Sequence, residues 1–352
     1  MAAAQPGATA AGIATATAKD TTVVVMGAGS IGGWLGGRLQ AAGATVHFIG
    51  RPRMLGAWAE HGLLLTDRDG GQLQLPAGQL HLHRGLPVGL APDLVLLCVK
   101  SGATATAAVE LGGLLPPGTP VLSMQNGIGN AAIAQAAAPQ LVLLPGMVPF
   151  NVAELGPGQL HRGTEGALAA LDHPALRRLL PVFESAGLPL VLHADLAAVQ
   201  WGKLLLNLNN AVNALSGLPL RAQLLDRDLR CCTAALIDET LALLRRAGIR
   251  PAQMSPLPPR WVPRVLRLPT PLFKWVAARM LRIDEKARSS MSDDLALGRP
   301  TEVDAINGEV IRLATRLGAR APINQRIVEL VKAWPAAPRA VSGQTLRRAL
   351  GV

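Results

Sequence analysis

Apolar residues in the first half of the chain come in short runs that end at glycine, proline or polar residues. Apolar runs of about four to eight residues, bounded by turn signals, are typical of strands that are buried on both faces of a sheet. The pattern predicts strands at residues 21–26, 45–49, 94–99, 121–124, 142–144, 163–170 and 188–193. With an amphipathic segment after the first run, it indicates an α/β fold with a doubly wound sheet.

The pattern becomes helical after residue 195, where apolar positions recur at the spacing of amphipathic helices. Helices are predicted at residues 196–216, 228–248, 271–295, 302–317 and 324–333. We therefore expect two domains, residues 21–195 and an all-α domain of residues 196–352. Residues 1–20, rich in Ala, Thr and Gly, are predicted to form a disordered tail, and the sequence leaves its role open.

A glycine-rich turn lies between the first predicted strand and the helix after it. Gly27, Gly29 and Gly32 form the pattern GxGxxG, and Ser30 and Ile31 open the helix. In dinucleotide-binding proteins these glycines permit the tight turn, the approach of the backbone to a pyrophosphate and the close packing of the helix on the sheet. The free N–H groups of the helix N-terminus then bind the phosphates. These residues are predicted to bind the cofactor.

The end of the second predicted strand indicates which dinucleotide is bound. An NAD site expects an acidic residue there, to accept a hydrogen bond from the ribose 2′-hydroxyl. This chain has Gly50, Arg51, Pro52 and Arg53 instead. A guanidinium suits a 2′-phosphate, so Arg51 predicts NADPH/NADP⁺ as the cofactor. The alternative is that both arginines are surface residues of a turn.

Four further polar residues lie at positions where catalytic or binding residues are expected. Lys100 and Asn126 follow apolar strands, at the carboxyl ends where doubly wound sheets bind ligands. Lys203 lies within an apolar helical segment, and Asn207 stands one turn further along the same face. Burial lowers the pKa of a lysine toward neutrality, which suits a group that gives a proton to a carbonyl oxygen. The alternative is a lysine whose head reaches the solvent.

Composition narrows the classes of partner. The chain has 352 residues and a net charge of +11, but its arginines are dispersed and aromatic residues make up only 3%. Stacking platforms for nucleic acid are therefore scarce. No apolar run reaches the ~18 residues that a membrane span needs. We expect neither nucleic acid nor a membrane as a partner, and a small anionic ligand instead.

The cysteines and histidines of the sequence do not indicate a metal-binding site. Cys98, Cys231 and Cys232 have no ligand spacing for zinc, and they fit a reduced, cytoplasmic setting. His81 and His83 alternate as on a strand, and without an acidic or cysteine partner nearby they indicate a solvated strand face. No metal site is predicted.

Together these motifs resemble the 2-dehydropantoate 2-reductase (ketopantoate reductase) family over nearly the whole chain, from about residue 22 to residue 333. The motifs are GAGSIGG at 27–33, LLCVKS at 96–101, MQNGIGN at 124–130, WGKLLLN at 201–207 and RSSMSDDLALGRPTEVDAINGEV at 288–310. The resemblance implies a Rossmann-type domain followed by an all-α domain like the C-terminal domain of 6-phosphogluconate dehydrogenase. It also implies the NADPH-dependent reduction of 2-dehydropantoate to pantoate, a step toward pantothenate and coenzyme A.

The resemblance assigns the chemistry to two residues. Lys203 would be the general acid for the ketone oxygen, and Glu302 would orient Lys203 and contact the forming hydroxyl and the cofactor. The hydride leaves an alkoxide at C2, and a lysine with a lowered pKa, held by a carboxylate, is suited to protonate it. The alternative for Glu302 is a residue that only interacts with the dipole of the helix that it opens.

The resemblance also assigns substrate contacts. Asn207 and Ser290 would hold the hydroxyl and the carboxylate of a 2-oxo acid, and Lys100 and Asn126 would line the cleft of nicotinamide and substrate. Ser290 has the alternative of a plain turn residue. A homodimer is compatible with the family.

The chain departs from the family pattern in two places. The second asparagine of the helix, eight residues after the lysine, is replaced by Ala211. Asn209, Asn210 and Asn213 are candidates for its role, and Asn213 fits if the helix carries a small shift. A Pro-rich, insertion-like stretch at residues 254–271 precedes the segment expected to bind substrate.

Other functions remain open at this point. The chain has no Tyr, which excludes the Tyr-Lys proton donor of short-chain dehydrogenases, and no His follows His193. A reductase of another 2-oxo acid and a β-hydroxyacid dehydrogenase are the enzymatic alternatives. A non-catalytic NADP(H)-sensing protein is the alternative from another class, but it would be expected to lose Lys203 or Glu302.

Overall fold

The computed structural model describes residues 15–278, 281, 287–336 and 338–352. These residues form two compact units that interleave along the chain. The first takes the described residues up to Cys98, with residues 110–122 and 139–194, and the second takes residues 99–109, 123–138 and the described residues from Asp195 onward. The sequence prediction had a single boundary at residue 195. It did not anticipate that two segments from the first half of the chain group with the helical second half.

The described residues contain twelve strands and fifteen α-helices. In chain order, strands β1 to β12 span Thr22–Met26, Thr45–Ile49, Leu63–Asp67, Gln72–Leu75, His81–His83, Leu94–Leu97, Pro120–Ser123, Val142–Met147, Val152–Gly156, Gln159–Arg162, Leu168–Leu171 and Leu190–His193. Helices α1 to α15 span Ser30–Ala41, Pro52–His61, Thr104–Leu114, Asn130–Ala137, Pro174–Ser185, Ala197–Asn207, Asn209–Ser216, Leu220–Leu225, Arg227–Arg246, Val262–Leu266, Thr270–Val276, Ser290–Ala296, Val303–Arg316, Pro322–Ala333 and Gly343–Leu350. The predicted fold class, an α/β domain followed by helices, is confirmed.

The large sheet has eight strands in the order β12-β11-β8-β7-β6-β1-β2-β5. β1 pairs in parallel with β2 and β6, and β2 pairs in parallel with β5. β8 and β11 are antiparallel, whereas the strands of the predicted doubly wound sheet are mostly parallel. The chain runs from β8 to β11 through β9 and β10, which pair antiparallel with each other in the second sheet.

A second, four-stranded sheet in the order β4-β3-β10-β9 was not predicted. Of the predicted strand at residues 163–170, only residues 168–170 are in a strand, β11 of the large sheet, because β10 of the small sheet already ends at Arg162. β9 alternates between half-buried and exposed residues, and its partner β10 is only partly buried. Strands of this kind lack the continuous apolar run by which the strands of the large sheet were recognised.

Helix α1 lies between the two sheets of the first unit. A Cβ atom on Gly36 would lie 2.5 Å from Phe48 of β2 and 2.7 Å from Val25 of β1. On the other side, a Cβ atom on Gly37 would lie 2.9 Å from Leu65 of β3. The glycines therefore allow α1 to approach both sheets closely, which positions the glycine turn at its N-terminus.

We expect Gly36→Ala to destabilise the protein by about 1–3 kcal/mol, because the added methyl group overpacks the interface between α1 and the large sheet. Gly56 in α2 is the matched control, since a Cβ atom there meets nothing within 4 Å. Gly56→Ala should stabilise by about 0.4–1 kcal/mol through the unfolded state. Urea denaturation followed by circular dichroism measures both. A Gly36→Ala protein as stable as Gly56→Ala would contradict the close packing of α1.

The second unit is helical, with two corrections to the predicted elements. The predicted helix at 196–216 is two helices, α6 and α7, because Leu208 forms a turn between them. The predicted helix at 271–295 begins as α11 and ends as α12, and residues 279–280 and 282–286 lie outside the described residues. Among the described helices, none has the length and apolar character that crossing a bilayer requires.

The Pro-rich stretch at residues 254–271 is tied to the helical core by Arg230 of α9. Its guanidinium is fully buried and donates to the carbonyl oxygens of Leu266 at 2.9 Å and Leu268 at 2.8 Å. It also stacks on Phe273 of α11, 4.2 Å from the ring centre. A buried guanidinium is tolerated only when its donors are satisfied. Arg230 therefore fixes the path of this stretch.

Among the described residues, regular structure begins at Ala18, within the tail of residues 1–20 that was predicted to be disordered. Ala18–Asp20 forms a 3₁₀ turn within the predicted tail of residues 1–20, and the Ala16 N–H donates to the Arg178 carbonyl at 3.1 Å. Backbone hydrogen bonds of this kind hold a chain terminus in place. Residues 1–14 of the predicted tail lie outside the described residues.

Candidate active site

Lys203 lies on α6, which is anchored in the second unit by buried neighbours. Trp201, Leu204 and Leu205 are almost fully buried. Gly202 brings the helix into close contact with the next segment, because a Cβ atom there would lie 2.4 Å from the Ala252 carbonyl oxygen. The neighbouring residues thus fix the position of the Lys203 side chain.

The environment of Lys203 changes its acidity. Burial lowers the pKa of Lys203 to about 8, and the Glu302 carboxylate opposes that shift. Burial disfavours the charged form of an amine, whereas a nearby negative charge favours it. The ammonium is therefore mostly protonated at neutral pH and still gives up its proton readily, as a general acid requires.

Asn126 links Lys203 to Glu302. The Lys203 Nζ donates to the Asn126 Oδ1 at 2.9 Å, and the Asn126 Nδ2 donates to the Glu302 Oε2 at 3.1 Å. The carboxamide thus presents its acceptor to the cation and its donor to the anion, which determines its orientation. The family resemblance paired Lys203 with Glu302, and the structure adds Asn126 as the residue that hydrogen-bonds to both.

The turn that carries Asn126 rests directly on the start of α13. Gly127 has φ +93°, and a Cβ atom there would lie 2.6 Å from the Ala305 carbonyl oxygen. Glu302 is the N-cap residue of α13, yet its side chain makes no capping hydrogen bond. Glycine at position 127 permits both the left-handed backbone and the close contact. The Glu302 carboxylate is directed to the Lys203–Asn126 pair, although the α13 N-terminus still favours its negative charge.

Ser101 and Asn130 complete the network and were missed as site residues. The Ser101 Oγ is 3.0 Å from the Glu302 Oε1, and the Ser101 N–H also donates to this oxygen, at 3.3 Å. The Asn130 Nδ2 donates to the Asn126 carbonyl oxygen at 2.7 Å. Both residues stand within motifs that carry the family resemblance, LLCVKS and MQNGIGN. That position was the signal by which they could have been found.

Lys100 forms an ion pair with Asp294 of α12, a residue that the sequence did not bring forward. The Asp294 side chain is 10% exposed, whereas that of Lys100 is 44% exposed. A half-exposed ammonium that is held by a mostly buried carboxylate stays ordered at little cost of desolvation. This pair ties Lys100 to the helix that begins with Ser290.

Ser290 and Asn207 are two predicted substrate contacts on the helices that carry Asp294 and Lys203. Ser290 is the exposed first residue of α12, and Asn207 is the last residue of α6. Neither side chain makes a hydrogen bond with any residue that the structure describes. Polar groups that are not used by the fold are available to a ligand.

The three asparagines of α7 differ in how they are used. Asn213 is fully buried, donates to the Leu218 carbonyl at 2.9 Å and accepts from the Ser289 N–H at 3.0 Å. Asn209 exchanges two hydrogen bonds with Gln223, at 3.1 and 2.8 Å. The side chain of Asn210 makes no hydrogen bond within the described part of the chain. The prediction of Asn213 as a substrate contact is therefore disfavoured by its burial, and Asn210 is the better candidate.

The glycine turn of the first unit has the geometry that its sequence pattern requires. Gly27 has φ +109°, and the N–H groups of Gly27 and Ala28 both donate to the Ile49 carbonyl, at 3.0 and 2.7 Å. A Cβ atom on Gly32 would lie 2.3 Å from the Gly27 carbonyl oxygen. Above Gly29, the N-cap of α1, a Cβ atom meets nothing within 4 Å. The turn therefore leaves the N–H groups of Ser30 and Ile31 open to a phosphate.

Arg51 and Arg53 are used differently. Arg53 donates two hydrogen bonds to the Glu154 carboxylate, at 2.9 and 2.7 Å, and this contact raises the pKa of Arg53. Arg51 is the exposed N-cap residue of α2 and makes no ion pair with the residues that the structure describes. Of the two arginines that the sequence singled out, only Arg51 remains available to an anionic ligand.

His47 joins His81 and His83 on one face at the edge of the large sheet. The His47 Nδ1 lies 3.0 Å from the His83 Nε2, and the rings of His47 and His81 stack with centres 5.1 Å apart. Burial lowers the pKa of His47 and His83, and their histidine neighbours lower it further. Within the described part of the chain, no group of three or more His, Cys, Asp or Glu side chains is arranged to hold a metal ion.

Comparison with protein families decides which family carries this arrangement. Residues 23–173 match the family described as "Ketopantoate reductase PanE/ApbA", and residues 195–334 match "Ketopantoate reductase PanE/ApbA C terminal". The chain belongs to the ketopantoate reductase family. The two matches include the glycine turn, Lys100, Asn126, Lys203 and Glu302. The protein is thus an oxidoreductase of the kind that acts on CH–OH groups.

Individual ketopantoate reductases are similar to the chain over most of its length. A 2-dehydropantoate 2-reductase from Halobacterium salinarum is 29% identical over 322 residues, which cover 88% of this chain and 97% of that protein. The crystal structure of a PanE/ApbA family ketopantoate reductase from Ralstonia eutropha has a TM-score of 0.74 and 27% identity, covering 88% of this chain and 97% of that one. A D-mandelate dehydrogenase solved with NADH and anilino(oxo)acetate has a TM-score of 0.72, 20% identity and coverage of 94% and 99%, and shows the shared fold.

Proposed function

We propose that the protein reduces 2-dehydropantoate to pantoate with NADPH. The observation that carries the proposal is the hydrogen-bonded chain from Lys203 through Asn126 to Glu302, with the pKa of Lys203 lowered to about 8. A protein that only sensed NADP(H) would have no need of a lysine held in this state. The membership of the ketopantoate reductase family supports the choice of substrate.

The chain's own residues supply the proton of the reaction. NADPH, when bound, supplies a hydride to the C2 carbonyl carbon of the oxo acid. Lys203 gives a proton from Nζ to the oxygen of that carbonyl, so that a hydroxyl forms and the amine is left neutral. Asn126 holds the Lys203 ammonium through Oδ1, and Glu302 holds Asn126 and keeps the positive charge on the lysine favourable.

The glycine turn and Arg51 support NADPH as the cofactor. Gly27 has the positive φ of the tight turn, Gly32 allows the close packing of α1, and Gly29 leaves free space for a pyrophosphate. Ser30 and Ile31 begin the helix whose N-terminal N–H groups would bind it. Arg51 stands where an NAD-binding protein has an acidic residue, and its guanidinium is not used by the fold.

Polar groups around Lys203 support the binding of a 2-oxo acid. We assign the hydroxyl and carboxylate contacts to Asn207 and Ser290, and we replace Asn213 by Asn210 because Asn213 is buried and hydrogen-bonded within the fold through both Oδ1 and Nδ2. Lys100, held by Asp294, adds a positive charge that suits a carboxylate. Another 2-oxo acid remains the second candidate, since these contacts recognise the oxo acid group that such substrates share.

The direct test follows NADPH absorbance with the purified protein and ketopantoate. We expect turnover with ketopantoate, much slower turnover with pyruvate and 2-oxoisovalerate, and weak activity with NADH. Binding of NADPH without turnover of ketopantoate would overturn the proposed substrate. Equal turnover with NADH and NADPH would overturn the proposed cofactor. A homodimer and a cytoplasmic location stay predictions.

A further inference from the structure

The parallel pairing of β2 with β5 brings a second arginine to the end of β2. His47, Phe48 and Ile49 are in register with His81, Leu82 and His83, and the Gly50 N–H donates to the His83 carbonyl oxygen at 3.1 Å. This hydrogen bond is the one expected if the register is extended by one position, from Ile49 and His83 to Gly50 and Arg84. Adjacent strands lie about 4.8 Å apart. The backbone of Arg84 is therefore a neighbour of Gly50 and Arg51, although the two arginines are far apart in sequence.

The charges at this edge leave Arg51 and Arg84 as the available cations. Both are exposed, and neither makes an ion pair with the residues that the structure describes. Arg53 is held by Glu154. Two residues after Arg84, the Leu86 N–H donates a hydrogen bond to the carboxylate of Glu110 in α3 at 2.9 Å. This carboxylate fixes the loop after Arg84 through the backbone.

His47 and His83, at the same edge of the sheet, do not provide positive charge for an anion. The pKa values of His47 and His83 are lowered, so both imidazoles are neutral at pH 7 and add no positive charge. His83 instead contributes its backbone carbonyl, which holds Gly50 in place. Two exposed arginines, Arg51 and Arg84, thus follow neighbouring strands at this edge of the sheet.

We propose that Arg84 is a second residue that binds the 2′-phosphate of NADPH and acts together with Arg51. A phosphate monoester has three acceptor oxygens and up to two negative charges, so two guanidinium groups can each donate to it without competing. The second guanidinium in this role comes from the residue after β5 and not from Arg53, which is held by Glu154. The inference rests on the proposed use of NADPH and deepens it by naming a further specificity residue.

The test compares three single variants, Arg84→Ala, Arg51→Ala and Arg53→Ala, by equilibrium titration of each with NADPH and NADH. Loss of a hydrogen-bonded ion pair to a phosphate weakens binding by about 10- to 100-fold. We expect Arg84→Ala and Arg51→Ala each to weaken NADPH to this extent and to leave NADH within about twofold. Arg53→Ala is the matched control and should change the NADPH-to-NADH preference little. Adenosine 2′-monophosphate, used as a competitor, should lose affinity for Arg84→Ala in parallel with NADPH.

The outcomes separate this inference from the proposed function. If the wild-type protein bound NADH as tightly as NADPH, NADPH would be excluded as its specific cofactor. A wild-type protein that prefers NADPH, with an Arg84→Ala variant that keeps this preference, would overturn the role of Arg84 alone. Arg84→Lys, which keeps the charge, should recover part of the NADPH affinity, and a loss of both nucleotides in every Arg84 variant would indicate a merely structural residue.

Discussion

Replacing Lys203 by alanine is expected to lower kcat with ketopantoate by about 10³-fold, within the range that general acid catalysis contributes. Without Nζ the oxygen at C2 has no proton donor in contact, and it must be protonated by water as the hydride arrives. The glycine turn and Arg51 belong to a different unit of the protein and are unchanged by the substitution. The dissociation constant of NADPH should therefore change by less than about twofold.

The prediction is checked by steady-state kinetics and by NADPH titration of the same preparation. Lys274→Ala provides a matched control, because Lys274 is an exposed lysine of α11 outside the network. Lys203→Arg tests the need for a titratable donor, since a guanidinium keeps its proton at every working pH. A Lys203→Ala protein that retained most of its kcat would exclude the general acid role.

Replacing Glu302 by glutamine is expected to lower kcat at pH 7 by about 10- to 100-fold, as for the loss of a charged hydrogen bond. The carboxylate now accepts from both Asn126 and Ser101. A glutamine that turned its amide donor toward the Asn126 donor would favour a flipped Asn126, which would then present N–H groups to the Lys203 ammonium. The chain of contacts would be broken at its centre.

The same substitution also predicts the direction of a pH shift. Glu302 raises the pKa of Lys203 against the effect of burial, so its neutralisation should lower this pKa below about 8. Because the acid is active only when protonated, wild-type kcat should fall as the pH rises through about 8, and Glu302→Gln should show this fall at lower pH. A pH profile of kcat measures the shift.

Asp304→Asn is the control for this profile. Asp304 is two residues further along α13, its side chain is 61% exposed, and it pairs with Lys332. The control loses the same charge outside the network and should leave the alkaline side of the profile in place. An alkaline limb that stayed where it is in Glu302→Gln would rule out electrostatic coupling between Glu302 and Lys203.

Much of the framework could be predicted from local patterns. The buried strands of the large sheet are apolar runs, and the glycine turn has a fixed chemical logic, so both were recognised before any contact was known. Lys203 stood out as a charge within an apolar helix. Asn126 was singled out by its position after a strand, and Glu302 by the resemblance to the ketopantoate reductase family.

What could not be predicted depends on contacts between distant residues. Arg51 and Arg53 both follow the second strand in the sequence. Only the structure shows that Arg53 is already paired, with Glu154. Asn213 looked suitable as a substrate contact, but its amide holds Ser289, which is 76 residues away. The turn at Leu208 also lies within a run that reads as one continuous helix, because no Gly or Pro marks it.

The interleaving of the two units has a consequence for how such proteins can be recombined. Ser101, Asn126 and Asn130 come early in the chain but pack with Lys203 and Glu302 in the second unit. A chimera of two relatives that is joined near residue 195 would take its lysine from one parent and the asparagine that holds it from the other. A chimera that keeps Lys203 and its hydrogen-bonding partners from one parent must take three separate segments from that parent. These are residues 99–109, 123–138 and the chain from Asp195 onward.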